Sequence, residues 1–505
     1  MNLQSLPNRV YIFALILLCY ITRLPQLLSP NLLLDGDECI LGLMAKHFSE
    51  GKEIPVFFYG QNYGFSLIEA GFGAIGFLLF GVNAIVLRLS LLLIWSIGVV
   101  FFFLTFLQIT NKKKAFLITL LMVLIPAWAI GSMKARGGYI TAFTLTNIVI
   151  YLLFKAKESP TIILSFIIGI LTYLIFLSRP FWIPVLLPVF IYFYLINKDF
   201  KGFISLASGV GIMFLLLQFI IPKPYIFWEP DLIIGANYFD AIKEIPNRIF
   251  YNVTGSYCLE DNIKLGFFDR ITTYIWDVIV ILLFVVQIIR IIFKRINVWS
   301  LIFSISVLLT IAYTPFFTHK YGARYLLPYS QFLILWLGIE IVELANIING
   351  LKYKSIMYYL IITLCIFSSG ALIEFKDFNF LHKDKSNKSE QQRMDEVISY
   401  LKQNGVNNAF ALDGMFQWML TFYSKEEIVC RWLSDADRYP PFPKTVDKAI
   451  KDGKPIALIW ANEEFYKLGD NPDVCKDMVI IGDYNYVYLY PTKELLKNLG
   501  FAFSD

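Results

Sequence analysis

Roughly eleven stretches of about 20 mostly apolar residues follow one another along this chain, and they limit its fold more than any other feature. They begin near Val10, Asn83, Ala115, Tyr139, Pro160, Phe181, Gly202, Ile271, Trp299, Tyr325 and Ser355. A helix of that length crosses the hydrocarbon of a bilayer, and in lipid it satisfies its own backbone N–H and C=O groups. The expected fold is therefore a mainly α-helical polytopic membrane protein. Charged residues make up 16% of the 505, where a soluble domain carries about 25%. The shortage is concentrated in residues 10–375, and charges return beyond them. Two parts follow: a transmembrane domain over residues 1–375, and a small C-terminal α/β domain over residues 376–505. The net charge of +5 is small and gives no reason to expect a nucleic-acid partner.

Lys and Arg favour cytoplasmic loops. With Arg9 inside, every second loop holds a basic group: Lys112 to Lys114, Lys155 and Lys157, Lys198 and Lys201, Lys294 and Arg295, then Lys352 and Lys354. The N-terminus is thus expected in the cytoplasm. An odd number of spans then puts the C-terminal domain outside, on the same side as a first outer loop at about residues 29–82.

That loop carries the acidic cluster Asp35-Gly36-Asp37-Glu38. It continues with short apolar stretches broken by polar residues and glycines, as in Leu41 to Phe48, which suggests interfacial amphipathic helices. An aromatic, glycine-rich run from Pro55 to Gly64 follows, then Glu69 at the start of a helical repeat of Ile68, Phe72, Ile75 and Leu79. A carboxylate partly removed from water at a membrane edge is a stronger base than one in bulk water. The alternatives are a solvated acidic loop and, for Glu69, compensation of a helix dipole. Arg136, Arg179, His319, Lys320 and Arg324 fall in outward loops, against the charge bias. Together they suit a phosphate or pyrophosphate, because the guanidinium fork matches phosphate oxygens. Singly, each is as well explained by snorkelling to headgroups.

The order Asp37-Glu38, Phe57-Phe58-Tyr59-Gly60-Gln61-Asn62-Tyr63 and Leu67-Ile68-Glu69 resembles the bacterial relatives of the protein O-mannosyltransferases, within the GT-C superfamily of glycosyltransferases. Arg136-Gly137-Gly138-Tyr139, Ser178-Arg179-Pro180, Arg324-Tyr325-Leu326-Leu327-Pro328 and Asp437-Arg438-Tyr439-Pro440-Pro441 add to the likeness. It is good over the membrane part and weak over the C-terminal domain. The resemblance implies sugar transfer from a polyprenyl-phosphate-linked donor to a protein, lipid or glycan acceptor, on the outer face of the cell membrane. It also implies that the first-loop acids supply the base. Asp37 is the expected base, with Glu38 beside it and Glu69 as a third candidate. Asp35, Tyr59, Gln61, Tyr63 and the five cations are expected at the substrates.

No cofactor is required by this reading. Clustered carboxylates can hold a divalent cation through oxygen, but no zinc spacing is visible, so a metal stays open. A transporter or flippase of a lipid-linked sugar is the alternative, although in-span charges such as Arg290, Glu340 and Glu343 lie near span ends. In the C-terminal part, a helix is expected over residues 390–401, stopping near Gly405. Apolar runs at 409–412, 428–430, 456–460, 479–481 and 486–490 read as strands of a helix-flanked sheet. Cys430 and Cys475 are expected as buried thiols or as a pair.

Overall fold

The computed structural model describes residues 6–31, 33–125, 127–158, 161–220, 267–313, 323–348, 361–366, 388–461, 477–482 and 485–503, with isolated residues between them. His319, Lys320 and Cys475 lie outside the described residues, as does most of the segment expected to begin near Ser355.

The membrane part opens with α1 (Asn8–Ile21) and a short α2 (Leu24–Leu27). Two loop helices follow, α3 (Gly36–Ser49) and α4 (Leu67–Phe80). Next come α5 (Ala84–Leu107), α6 (Lys112–Leu124), α7 (Ala127–Gly131), α8 (Tyr139–Glu158) and α9 (Ile162–Ser178). The chain continues with α10 (Trp182–Phe190), extended by a π-helical segment Ile191–Ile196, then α11 (Phe200–Ile220), α12 (Phe267–Ile292), α13 (Val298–Tyr313) and α14 (Leu327–Ile348). Among the described residues, five helices are long and apolar enough to cross a membrane: Ala84–Leu107, Tyr139–Lys157, Phe200–Phe219, Tyr274–Ile292 and Leu327–Leu344. Shorter apolar helices accompany them, including Ile162–Ser178 and Val298–Tyr313.

Local chemistry sets these boundaries. Asn83, Asn111 and Thr161 each precede an apolar run, and each side chain accepts a hydrogen bond from the backbone N–H three residues on. Each thereby satisfies one of the donors that a helix start leaves free. The helix α9 stops just before Arg179-Pro180, since proline disfavours helical geometry in the residue before it. Two of the charges inside the bundle are held by specific contacts: Arg290 meets Glu340 at 2.8 Å, and Asn297 donates to Glu343 at 2.9 Å. Arg23, at the end of α1, is fully buried. It donates to the carbonyls of Val123 (2.5 Å) and Trp128 (3.0 Å) and to Ser132 Oγ (3.2 Å), and its guanidinium lies 4.5 Å from the Trp95 ring centre. This anchors the chain just ahead of the turn at residues 134–138.

The C-terminal part contains α15 (Glu390–Gln403), β1 (Asn408–Ala411), α16 (Gly414–Tyr423), β2 (Val429–Arg431), α17 (Pro441–Lys451), β3 (Ile456–Ala461), β4 (Val479–Ile481), β5 (Asn485–Leu489) and α18 (Lys493–Asn498). The strand order is β2-β1-β3-β5-β4. β1 pairs in parallel with β2 and β3, while β5 runs antiparallel to β3 and β4. The strands fall on the five apolar runs, and α15 ends just before Gly405, whose φ of 70° only glycine adopts freely.

One expectation needs correcting. The helix α3 does not lie open along the interface; all but three of its residues are buried. It is sandwiched between α4 and α16 of the sheet domain, and two glycines allow the close approach. A Cβ on Gly36 would meet Met415 Sδ at 2.6 Å, and one on Gly42 would meet the Phe422 ring at 2.4 Å. By contrast, α4 keeps Ile75, Leu78, Leu79 and Phe80 exposed, as an apolar stripe facing lipid would be.

Candidate active site between the first loop and the sheet domain

The acidic cluster forms the start of α3. Asp35 is its N-cap: Asp35 Oδ1 accepts from the Glu38 N–H, and Glu38 Oε2 accepts from the Asp35 N–H, each at 3.0 Å. This reciprocal capping box fixes both side chains. They then meet the turn at residues 134–138. Lys134 Nζ lies 3.0 Å from Asp35 and 3.5 Å from Glu38; Arg136 donates to Asp35 at 2.5 Å; Ala135 N donates to Glu38 Oε1 at 3.4 Å. Burial alone would raise the Asp35 pKa, but Lys134 and Arg136 outweigh it and hold the carboxyl well below the usual range.

Asp37 has a different environment. It stands in the first turn of α3, half-buried. Of the four acids in this region, only Asp37 has no hydrogen bond or ion pair with another described residue. It borders a cavity of about 320 Å³ together with Ile40, Met415, Trp418, Trp432 and Arg438. Glu69, fully buried in the first turn of α4, accepts from the Thr141 N–H and Thr141 Oγ1, both at 3.2 Å, while its other oxygen has no partner among the described residues. Glu69 thus holds the far end of the same turn that Asp35 and Glu38 hold at its start.

That turn needs its glycines. Gly137 and Gly138 have φ of 60° and 93°. A Cβ on Gly138 would meet the Ser178 carbonyl at 2.6 Å, and one on Gly137 would meet the Phe58 ring at 2.7 Å. Arg179 leaves the end of α9, donates to the Arg136 carbonyl and stacks 3.9 Å over the Tyr139 ring; its Nε has no partner among the described residues. Lys134 and Arg136 meet Asp35, and Arg179 lies against the Arg136 backbone; the sequence reading named the two arginines and not the lysine. The backbone of Arg324 sits in a 3-10 turn at Ala323–Leu326, where Tyr325 packs on Phe181 at 5.2 Å. The position of the Arg324 side chain is not among the described ones, so its convergence with the other cations stays a proposal.

The aromatic run forms a small hairpin. Phe57 pairs with Phe65, Phe58 N donates to the Gly64 carbonyl, and the N–H groups of Gly64 and Phe65 both reach the Leu177 carbonyl at 3.0 Å. Gln61 is buried in its tip. Tyr63 lies in the fields of Arg179 and Arg438; burial is the larger influence and pushes its phenol up to about 12. Tyr59 stacks on Tyr439 of the sheet domain at 4.9 Å, and its hydroxyl bonds His47 Nδ1 at 2.8 Å. His47 Nε2 meets Glu426 Oε1 at 2.9 Å, and Lys46 also pairs with Glu426. Burial disfavours the charged imidazole, yet Glu426 and Glu53 outweigh it and raise the His47 pKa. Burial likewise opposes the Glu426 carboxylate, but His47 and Lys46 pull it down to about 2. Lys425 and Glu426 both adopt the left-handed conformation, with φ of 57° and 66°, which costs about 1–2 kcal/mol each. The contacts of Glu426 with His47 and Lys46 across the domain boundary hold this turn in place. Sequence reasoning singled out neither His47 nor Glu426, because neither sits in a recognisable pattern.

Among the described residues, no three His, Cys, Asp or Glu side chains converge as metal ligands would. Among the described residues, Cys19, Cys39 and Cys430 are free thiols.

No protein-family model matches the sequence, and no curated protein matches it. Solved structures do match in fold. ArnT from Cupriavidus metallidurans in the apo state superimposes with a TM-score of 0.59 over 95% of this chain and 97% of that one, at 11% identity. The same protein bound to undecaprenyl phosphate gives 0.58 over the same shares, also at 11% identity. The Archaeoglobus fulgidus oligosaccharyltransferase in the apo form gives 0.52 over 90% of this chain and 70% of that one, again at 11% identity. The chain is thus a multi-pass, mainly helical membrane protein with a small C-terminal mixed-sheet domain, and its fold is like that of these ArnT and oligosaccharyltransferase structures.

Proposed function

We propose that the protein transfers a sugar from a polyprenyl-phosphate-linked donor to an acceptor hydroxyl on the outer face of the cell membrane, in the manner of the bacterial relatives of the protein O-mannosyltransferases. The observation that carries this reading is the free, half-buried Asp37 carboxylate at a cavity, next to acids that are tied to cations. The likeness to an ArnT structure that holds undecaprenyl phosphate supports a lipid phosphate as the donor's carrier.

The chemistry is a single inverting displacement. The acceptor oxygen bonds to the anomeric carbon while its proton passes to Asp37. The bond from that carbon to the phosphate oxygen breaks, and its electron pair leaves with the lipid phosphate. Negative charge grows there during the step, so Lys134, Arg136 and Arg179 stabilise the transition state more than the ground state. Asp35 and Glu38 keep Lys134 and Arg136 in position.

The test is Asp37→Asn in the purified protein, with transfer rate and donor binding followed in parallel. A general base contributes about 100- to 10,000-fold, so transfer should fall by that range while donor affinity holds. Near-normal transfer by Asp37→Asn, with Glu69→Gln inactive, would assign the base to Glu69.

A further inference from the structure

We infer that the sheet domain supplies a carbohydrate subsite facing Asp37, so that the acceptor is itself a sugar ring. The inference rests on the proposed transfer reaction and adds the chemical class of its acceptor.

The cavity of about 320 Å³ is at the small end of ligand sites and fits about one sugar ring. Its wall combines two indoles, Trp418 and the half-buried Trp432, with a polar edge built on buried side chains. Gln417 is 3% exposed; its Nε2 donates to Asp437 Oδ2 at 3.0 Å, while its Oε1 is buried with no partner among the described residues. Asp437 is 2% exposed and is held from the other side by the Tyr439 N–H at 3.2 Å. Gln417 and Asp437 both border the cavity, so an amide and a carboxyl give it a polar edge beside the indoles.

A sugar ring meets both halves of this wall, since its hydroxyls donate and accept while its C–H face covers an indole. A lipid chain would leave the Gln417–Asp437 edge unmatched, and a serine or threonine side chain would supply one hydroxyl and no face for the indoles.

The face of α3 separates the two substrates. Successive helix residues turn by about 100°. Asp35 and Glu38 look toward Lys134 and Arg136, whereas Asp37 and Ile40 border the cavity. The phosphate-binding cations and the sugar subsite therefore flank Asp37 from different sides, as a base between donor and acceptor requires.

The test uses the full chain in detergent and saturation-transfer NMR with methyl α-D-mannopyranoside, methyl β-D-glucopyranoside and methyl β-D-galactopyranoside. At least one glycoside should receive saturation. Gln417→Leu and Trp432→Ala should each weaken it about tenfold, and Trp432→Phe should weaken it less. The signal should persist when undecaprenyl-phosphate mannose occupies the protein. Three results would overturn the subsite: no glycoside binding, unchanged affinity in both Gln417→Leu and Trp432→Ala, or displacement of the glycoside by the lipid-linked sugar. Normal transfer by Asp37→Asn with intact glycoside binding would instead count against the base and leave the subsite standing.

Discussion

His47 in α3 and Glu426 in the sheet domain, 379 residues apart, share a 2.9 Å hydrogen bond that ties the two parts of the molecule together. The bond makes their docking depend on pH. His47 has a folded pKa raised above its ordinary value of 6.5, so its contribution is complete below about 6.5 and is lost as pH rises through the raised value. Glu426 is held at about 2 instead of 4.5, so its contribution is present above 4.5 and is lost as pH falls toward 2. Docking should be firmest between about pH 4.5 and 6.5. Thermal melting of the detergent-solubilised protein against pH checks this. His47→Gln should flatten the alkaline side and weaken, without abolishing, the acid side, which Lys46 still supports; an unchanged alkaline slope would mean that another group controls it.

Gly42→Ala should loosen the same boundary from its apolar side. The new methyl would fall 2.4 Å from the buried Phe422 ring, and overpacking of this kind costs about 1–3 kcal/mol. The expected result is a lower melting temperature and faster proteolysis between the two parts. If the variant melts like the parent, the approach of α3 and α16 is looser than described.

Arg179→Ala should weaken binding of undecaprenyl phosphate. Loss of a charge-assisted hydrogen bond costs about 1.5–3 kcal/mol, or roughly 10- to 150-fold in affinity. Arg179→Lys should rescue little, because an ammonium lacks the planar fork and stacks poorly on the Tyr139 ring, which the guanidinium covers at 3.9 Å. Full rescue by lysine would reduce the role to simple charge.

The distribution of Lys and Arg predicts a cytoplasmic N-terminus and an outer C-terminal domain. A reporter that works only outside, fused after Asp505, should be active. Activity of a cytoplasmic reporter at that position instead would reverse the orientation and move the whole candidate site to the other face.

The sequence alone determined the elements. Ten helices begin within a few residues of expected span starts, because about 20 apolar residues in lipid can only be helical and Asn83, Asn111 and Thr161 mark where three of them start. The five strands of the sheet follow their apolar runs for the same kind of local reason. The site was legible only in part. Asp37, Arg136 and Arg179 were visible as charges in loops between apolar runs, but Asp35, Asp37 and Glu38 look equivalent when read along the chain. Tertiary structure separated them: the turn at residues 134–138 neutralises Asp35 and Glu38, while Asp37, on another side of α3, is left free at the cavity. The sheet domain's share of that cavity, and the link from His47 to Glu426, join residues nearly 380 positions apart. Local patterns encode backbone conformation and burial, whereas such pairings depend on how whole elements pack, which no short stretch of sequence specifies.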